Sequence, residues 1–130
     1  MPVQVIKFVL PAIAPAIALI AAMATTPVAR AAELLMMTQP ACPWCARFDA
    51  EIAPAWPNTE EGKRAPLRRV DITQPWPDDL KDVLKERFTP TFVLMDKGKE
   101  IGRLRGYPGD EFFWYRIGEM LDMLPPDGDG

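Results

Sequence analysis

The chain of 130 residues carries 15 basic and 18 acidic side chains, for a formal net charge of −3, and it contains no histidine. Apart from the pairs Lys63-Arg64 and Arg68-Arg69 no basic cluster stands out, which argues against nucleic acid as a partner. Without histidine, the usual general base and the Cys–His arrangement of cysteine proteases are excluded. The length and the 48% share of hydrophobic residues fit one globular domain.

The first 31 residues have the features of an export signal. Lys7 precedes an apolar run from Phe8 to Ala24, and Ala29-Arg30-Ala31 has the small-x-small pattern of a signal peptidase site. We therefore predict a signal peptide over residues 1–31 and a periplasmic domain over residues 32–130. A retained membrane anchor is the alternative, although prolines interrupt the run and it is short for a membrane span.

Both cysteines lie in one motif, Cys42-Pro43-Trp44-Cys45. The apolar run before it, Leu34 to Thr38, predicts a strand buried on both faces, as in the middle of a sheet. Apolar spacing after the motif predicts a helix that runs to about Ala53. Pro43 suits the first turn of that helix. Cys42 would then lie at the helix N-terminus, where free amides and the helix dipole favour a thiolate.

Three interpretations of this cysteine pair are open. A redox-active dithiol is favoured by the strand before it and the helix after it. A metal site would have at most two soft ligands, whereas closed zinc sites use four. A purely structural disulfide would not need the start of a helix, and across a two-residue gap it would stabilise the fold little.

The next elements are a loop, an edge strand and a second helix. Trp56 continues the apolar face of the first helix and is expected in the core. The polar stretch Asn58 to Pro66 is predicted to be a surface loop with solvated charges. Leu67 to Ile72 is predicted to be a strand at a sheet edge, because it carries three charged side chains. A second helix is predicted from Asp79 to about Arg87.

The sequence of the last third of the domain indicates a β-hairpin followed by a helix. Thr91 to Met95 is β-rich and apolar, with Pro90 at its head, and a turn leads from it into Glu100 to Arg105. Asp110 is expected to cap the final helix. One apolar stripe of that helix is predicted to be core, formed by Phe113, Ile117, Met120, Leu121 and Leu124.

Three other aromatic residues of this helix, Phe112, Trp114 and Tyr115, form either a partner surface or further packing on the sheet. Pro125-Pro126 ends the helix, and residues 125–130 are predicted to be a disordered tail. The order strand, helix, strand, helix, strand, strand, helix predicts an α/β sandwich whose first two strands are parallel.

This order, with the Cys-Pro-Trp-Cys motif after the first strand and Thr89-Pro90 before the third, resembles the thioredoxin superfamily over essentially the whole mature chain. The resemblance implies a thioredoxin-like fold with a four-stranded mixed sheet. It also implies a thiol–disulfide oxidoreductase in which Cys42 attacks and Cys45 resolves, with no cofactor beyond their disulfide and no metal. Pro90 would be cis and face the dithiol, while Pro43, Trp44 and Thr89 would contact the substrate.

More narrowly, the chain resembles exported SoxS-type thioredoxin-like proteins of bacterial sulfur-oxidation gene clusters. The segments that carry this resemblance are residues 42–47, 65–71, 88–94 and 106–109. Such proteins are implicated in keeping a sulfur-carrier protein's cysteine free, and they are thought to receive electrons through a membrane thiol transporter. The resemblance therefore implies a protein disulfide as substrate and that transporter as electron donor, with the protein acting as a monomer.

The chain also departs from the thioredoxin pattern. Met36 occupies the position of a buried aspartate, so the proton acceptor for Cys45 is missing. Ala41 precedes the pair, and the histidine of strongly oxidising relatives is absent. The redox potential is therefore open. A disulfide oxidase or isomerase, and a non-catalytic thiol or Cu(I)-binding module, stay open as alternatives. Arg47 either favours the thiolate or is an ordinary exposed helix residue.

Overall fold

The structure is a computed structural model that describes residues 1–3, residue 7 and residues 32–126. Most of the predicted export signal and the end of the predicted tail, residues 127–130, lie outside the described residues. Within the described part of the chain, no helix has the length and apolar character needed to cross a bilayer.

Four strands form one mixed sheet in the order β2-β1-β3-β4. Strand β1 is parallel to β2 and antiparallel to β3, and β4 pairs antiparallel with β3. As predicted, β1 is central, β2 lies at an edge, and β3 and β4 form a hairpin. The strand bounds are β1 Glu33–Thr38, β2 Leu67–Asp71, β3 Thr91–Asp96 and β4 Lys99–Arg105.

Helices cover one face of this sheet, which we call the helical face. Its core combines alternate residues of β1 and β3, such as Leu34 and Phe92, with buried residues of the first and last helices. Trp56 is 1% exposed, which confirms its predicted place in the core. The predicted stripe of the last helix is confirmed as well, with its first four members buried and Leu124 packed against them. The helices are α1 Pro43–Glu51, α2 Glu60–Arg64 and α3 Asp110–Leu121.

An irregular segment covers the opposite face, which we call the loop face. The other alternate residues of β1 and β3 point there and pack with Val70, Leu80 and Val83. The predicted helix over Asp79 to Arg87 is wrong, because only a short 3-10 turn, Asp78–Leu80, forms there. Leu80 and Val83 are buried, but Leu84, the third apolar residue of the predicted helix face, is 68% exposed. A short helix whose apolar face is only partly buried is marginal.

The second helix lies earlier in the chain, inside the stretch predicted to be a loop. Thr59 caps α2 by accepting a hydrogen bond from the Gly62 amide at 3.0 Å. Two acidic residues begin α2 and two basic residues end it, which suits the helix dipole. Gly62 is buried, and a Cβ there would lie 1.7 Å from the Trp56 carbonyl oxygen. The α/β sandwich with a four-stranded mixed sheet is thus confirmed, with its second helix before β2 instead of after it.

Two helix ends also differ from expectation. Helix α1 ends at Glu51, two residues before the predicted Ala53. Gly109, with φ of 104°, occupies the N-cap position of α3, so the predicted cap, Asp110, is the first helical residue. Its carboxylate accepts a hydrogen bond from the Glu111 amide at 2.7 Å.

Neighbouring arginines on β2 bind opposite faces of the molecule. Arg69 bonds Asp49 of α1 at 2.7 Å on the helical face. Arg68 bonds both carboxylate oxygens of Asp79 on the loop face, at 2.6 and 3.0 Å. Side chains alternate along a strand, so one edge strand is joined to the layers on both sides of the sheet.

Candidate redox site

The Cys-Pro-Trp-Cys motif begins α1 directly after the central strand. Cys42 is the N-cap residue, with extended backbone, and Pro43 is the first helical residue. The sulfur of Cys42 accepts a hydrogen bond from the Cys45 amide at 3.2 Å. The predicted placement of Cys42 at the helix start is therefore confirmed, and its sulfur receives one of the amides that a helix start leaves unpaired.

The turn before the motif has an unusual backbone conformation. Ala41 has φ of 58°, in the left-handed region that favours glycine. A residue with a Cβ costs roughly 1–2 kcal/mol in this conformation. Such conformations concentrate at functional sites, where the surrounding structure enforces them. Here the turn brings the chain from β1 into α1 within a few residues.

The two cysteines form a disulfide, and their surroundings differ. Cys45 is 4% exposed and belongs to the apolar core of the helical face, together with Met36. Cys42 is partly exposed at the rim of that core. An incoming group can therefore reach Cys42 more easily than Cys45. Met36 is fully buried, so the position expected to supply a proton acceptor holds an apolar side chain.

The segment that leads into β3 meets the disulfide from the other side. The peptide bond between Thr89 and Pro90 is cis, and Pro90 is buried. The Thr89 hydroxyl donates to Cys42 Sγ at 3.3 Å and accepts from Gln39 Nε2 at 2.9 Å. Thr89 and Pro90 were predicted from the sequence, but Gln39 was not. The available signal for Gln39 was its position directly after β1, beside the segment that leads into β3.

Trp44 is 53% exposed next to the disulfide, and a network of side chains lies beside it. The Arg47 guanidinium is 5.7 Å from the Trp44 ring centre and 5.8 Å from that of Tyr107. Arg47 bonds Glu51 at 2.7 Å, and the Tyr107 hydroxyl donates to the same carboxylate at 2.5 Å. Arg47 thus supports the Trp44 ring by a cation–π contact and is paired with Glu51.

This network shifts the pKa values of its members. Hydrogen bonds from Arg47 and then Tyr107 lower the pKa of Glu51. The bond to Glu51 raises the pKa of Arg47. Burial, followed by the hydrogen bond to Glu51, raises the pKa of Tyr107 far above its usual value. All three groups therefore keep their ordinary charges at neutral pH.

A cleft of ≈ 420 Å³ opens beside the disulfide, and both cysteines, Gln39 and Asp49 are among the residues that line it. Asp49 is also the partner of Arg69. Among the described residues, no group of three or more potential ligands is placed to hold a metal ion.

The fold and this paired-cysteine site together define a thiol–disulfide oxidoreductase, and the chain belongs to the thioredoxin superfamily. It is 47% identical to the periplasmic thioredoxin SoxS from Paracoccus pantotrophus, solved in its reduced form, with a TM-score of 0.65. That match covers 71% of this chain and 97% of the other. The SoxS-type resemblance therefore agrees with a solved structure.

More distant thioredoxins show the fold alone. The thioredoxin of Malassezia sympodialis is 18% identical, with a TM-score of 0.52, over 69% of this chain and 75% of that one. The thioredoxin of Fasciola hepatica is 21% identical, with a TM-score of 0.51, over 68% and 80%. No protein-family model and no curated protein sequence matched the chain.

Proposed function

We propose that the protein is an exported reductant that opens a protein disulfide or mixed disulfide with Cys42 as nucleophile and Cys45 as resolving thiol. The observation that carries this proposal is the difference between the two sulfurs. Cys42 lies at the start of α1 and receives two hydrogen bonds, whereas Cys45 is buried beneath it. A thiolate, and not a thiol, is the attacking species, and a helix N-terminus favours it.

The reaction passes two electrons from the dithiol to the target. The Cys42 thiolate attacks one sulfur of the target disulfide, so a Cys42–target bond forms while the other target sulfur leaves and takes up a proton. Cys45 then loses its proton to solvent in the neighbouring cleft and attacks Cys42 Sγ. The second target thiol is released, and the Cys42–Cys45 disulfide that the structure contains is the product.

Four residues around Cys42 are proposed to contact the target. Pro43 and Trp44 are exposed on the motif itself, and Trp44 offers apolar surface next to the reacting sulfur. Thr89 contacts Cys42 from the side of β3, and Pro90 follows it through a cis peptide bond. The backbone of Thr89 is proposed to pair with an extended strand of the target, as the family resemblance implies.

The similarity to periplasmic SoxS supports the proposed location, and the proposed partners are those that the SoxS-type resemblance implies. We place the domain in the periplasm after removal of residues 1–31, acting as a monomer that needs no cofactor beyond its disulfide. The target class is a sulfur-carrier protein whose cysteine is blocked as a mixed disulfide. Since each turnover leaves the protein oxidised, two electrons must be returned, and a membrane thiol transporter is the proposed donor.

Trapping tests the reaction and the target together. Cys45→Ser in the periplasm should accumulate a covalent adduct with the target that a reducing agent releases, because the resolving thiol is gone. Cys42→Ser, the matched control, should form no such adduct and should abolish reduction of insulin disulfides. Normal insulin reduction by Cys42→Ser would overturn the proposed roles.

The direction of the reaction has a separate test. Equilibration with glutathione should show a disulfide that is hard to reduce, as suits a reductant. A readily reduced disulfide, together with faster oxidation than reduction of a substrate peptide, would instead favour an oxidase or isomerase. Stoichiometric retention of Cu(I) without disulfide exchange would favour a binding module.

A further inference from the structure

Three side chains form a line of hydrogen bonds that ends on the sulfur of Cys42. Gln39 Nε2 donates to the Thr89 hydroxyl oxygen at 2.9 Å, and the Thr89 hydroxyl donates to Cys42 Sγ at 3.3 Å. Neither Gln39 nor Thr89 is charged, and both are partly buried. The role of Thr89 as a target contact does not use its hydroxyl, so this line is unexplained by the proposed function.

The pairing of the central strands places Gln39 where it can reach Thr89. In the antiparallel pair of β1 and β3, Met37 lies opposite Thr91. Gln39 directly follows the end of β1 at Thr38, and Thr89 lies two residues before β3 begins at Thr91. The paired ends of the two strands therefore bring these side chains close together, and a hydrogen bond of 2.9 Å joins them.

The chemistry of the amide decides which way the hydroxyl points. A side-chain amide nitrogen only donates, whereas a hydroxyl has one hydrogen to give and lone pairs to accept with. When Gln39 Nε2 occupies a lone pair of the Thr89 oxygen, the hydroxyl hydrogen stays available for Cys42. We propose that Gln39 is a positioning residue that keeps the Thr89 hydroxyl aimed at Cys42 Sγ and polarises it.

This inference rests on the proposed role of Cys42 as nucleophile. In the disulfide, Sγ is a weak acceptor, but in the reduced protein it would carry the charge of a thiolate. Hydrogen bonds to charged acceptors are roughly twice as strong as neutral ones, and linked hydrogen bonds strengthen each other. Gln39 and Thr89 would therefore stabilise the reduced, reactive state more than the oxidised state.

The rate of alkylation of Cys42 in the reduced protein, measured against pH, tests this directly. Thr89→Val, which keeps the shape and removes the hydroxyl, should move the midpoint of the profile up by about one pH unit. Gln39→Met should move it up by about half a pH unit. Thr89→Ser, which keeps a hydroxyl, should restore most of the wild-type profile. The glutathione equilibrium should shift toward the disulfide in the same order.

The double variant separates positioning from a general structural effect. If Gln39 acts through the hydroxyl, Gln39→Met should add nothing in the Thr89→Val background. Gln74→Met, the same change at an exposed glutamine of the loop after β2, should leave the midpoint unchanged. An unmoved midpoint in Gln39→Met, or an equal shift in both backgrounds, would overturn the inference. Adduct trapping by Cys45→Ser reports separately on whether Cys42 is the nucleophile.

Discussion

Both faces of the sheet have an apolar core, but different further contacts hold the layers that cover them. The helical face is aromatic, with the Phe48 ring centre 4.7 Å from that of Phe92 and 5.2 Å from that of Phe113. On the loop face, the irregular segment is joined to β4 by charge. There the Glu86 carboxylate bonds Arg103 at 2.8 Å and Arg105 at 2.6 Å.

The redox site takes one component from each face. Cys42 is positioned by α1, and α1 is anchored through Phe48 and Cys45 in the aromatic core. Thr89 follows the irregular segment, which Glu86 joins to β4 through its ion pairs. The Glu86 amide also donates a hydrogen bond to Met37 Sδ at 3.3 Å. The sulfur and the hydroxyl that contacts it therefore depend on separate supports, and only the support of the hydroxyl combines apolar packing with the ion pairs of Glu86. The supports should therefore fail under different conditions.

The largest effect is expected from Phe48→Ala on the helical face. Phe48 is 0% exposed and contacts three other aromatic rings, so its loss leaves a cavity in the core. The free energy of unfolding, measured with denaturant, should fall by about 3–5 kcal/mol. Phe112→Ala, at a half-exposed site of α3, should change it by roughly 0.5 kcal/mol or less. Equal losses in the two variants would contradict the proposed aromatic anchor.

A smaller, pH-dependent effect is expected from Glu86→Gln on the loop face. Hydrogen bonds from Arg105 and Arg103 lower the pKa of Glu86 below its usual value near 4.5. A lowered pKa in the folded state means that Glu86 contributes stability above about pH 4.5. That contribution disappears as the pH falls through the lower, folded-state pKa.

Thermal unfolding of wild type and Glu86→Gln between pH 3 and pH 7 measures this contribution. The variant should be less stable at pH 7, and the difference should shrink as the pH falls, because protonation removes the charge of the wild-type side chain. Glu111→Gln, at an exposed position in the first turn of α3, serves as the control. A difference that is independent of pH would show that the charge of Glu86 does not support the loop face.

The smallest effect is expected at the turn where the two supports meet. Ala41→Gly removes the Cβ from a left-handed position, so the free energy of unfolding should rise by about 1 kcal/mol. The flexibility that glycine adds to the unfolded chain opposes part of this gain. Ala46→Gly within α1 should instead lower stability by about 1 kcal/mol. A loss of stability in Ala41→Gly would mean that the turn is not strained.

The strands and the cysteine motif could be predicted because their signals are local. The apolar run of β1, the charged edge strand β2 and the Cys-x-x-Cys spacing each show in a few adjacent residues. The helix predicted from Asp79 did not form because tertiary contacts use its backbone. The Arg103 guanidinium donates a hydrogen bond to the Leu84 carbonyl, and the Glu86 amide donates one to Met37 Sδ. No local sequence pattern reveals such partners.

The missed elements failed for related reasons. Helix α2 had suitable charges at both ends, but a glycine in a five-residue stretch is a weak helix signal until Gly62 packs against Trp56. Gln39 was missed because its partner is 50 residues away and is brought near only by the pairing of β1 with β3. A separation of 47 residues hid the contact of Thr89 with Cys42, although both residues were singled out individually.

The two neighbouring arginines of β2, Arg68 and Arg69, favour one register of this edge strand over the alternatives. Edge strands are prone to slipping along their neighbour, and a shift of one residue exchanges the faces to which all side chains point. Here such a shift would turn Arg69 away from Asp49 on α1 and Arg68 away from Asp79 in the loop segment, so both ion pairs would be lost at once. A misaligned edge is thus penalised on both sides of the sheet, including the side that carries the cysteine helix.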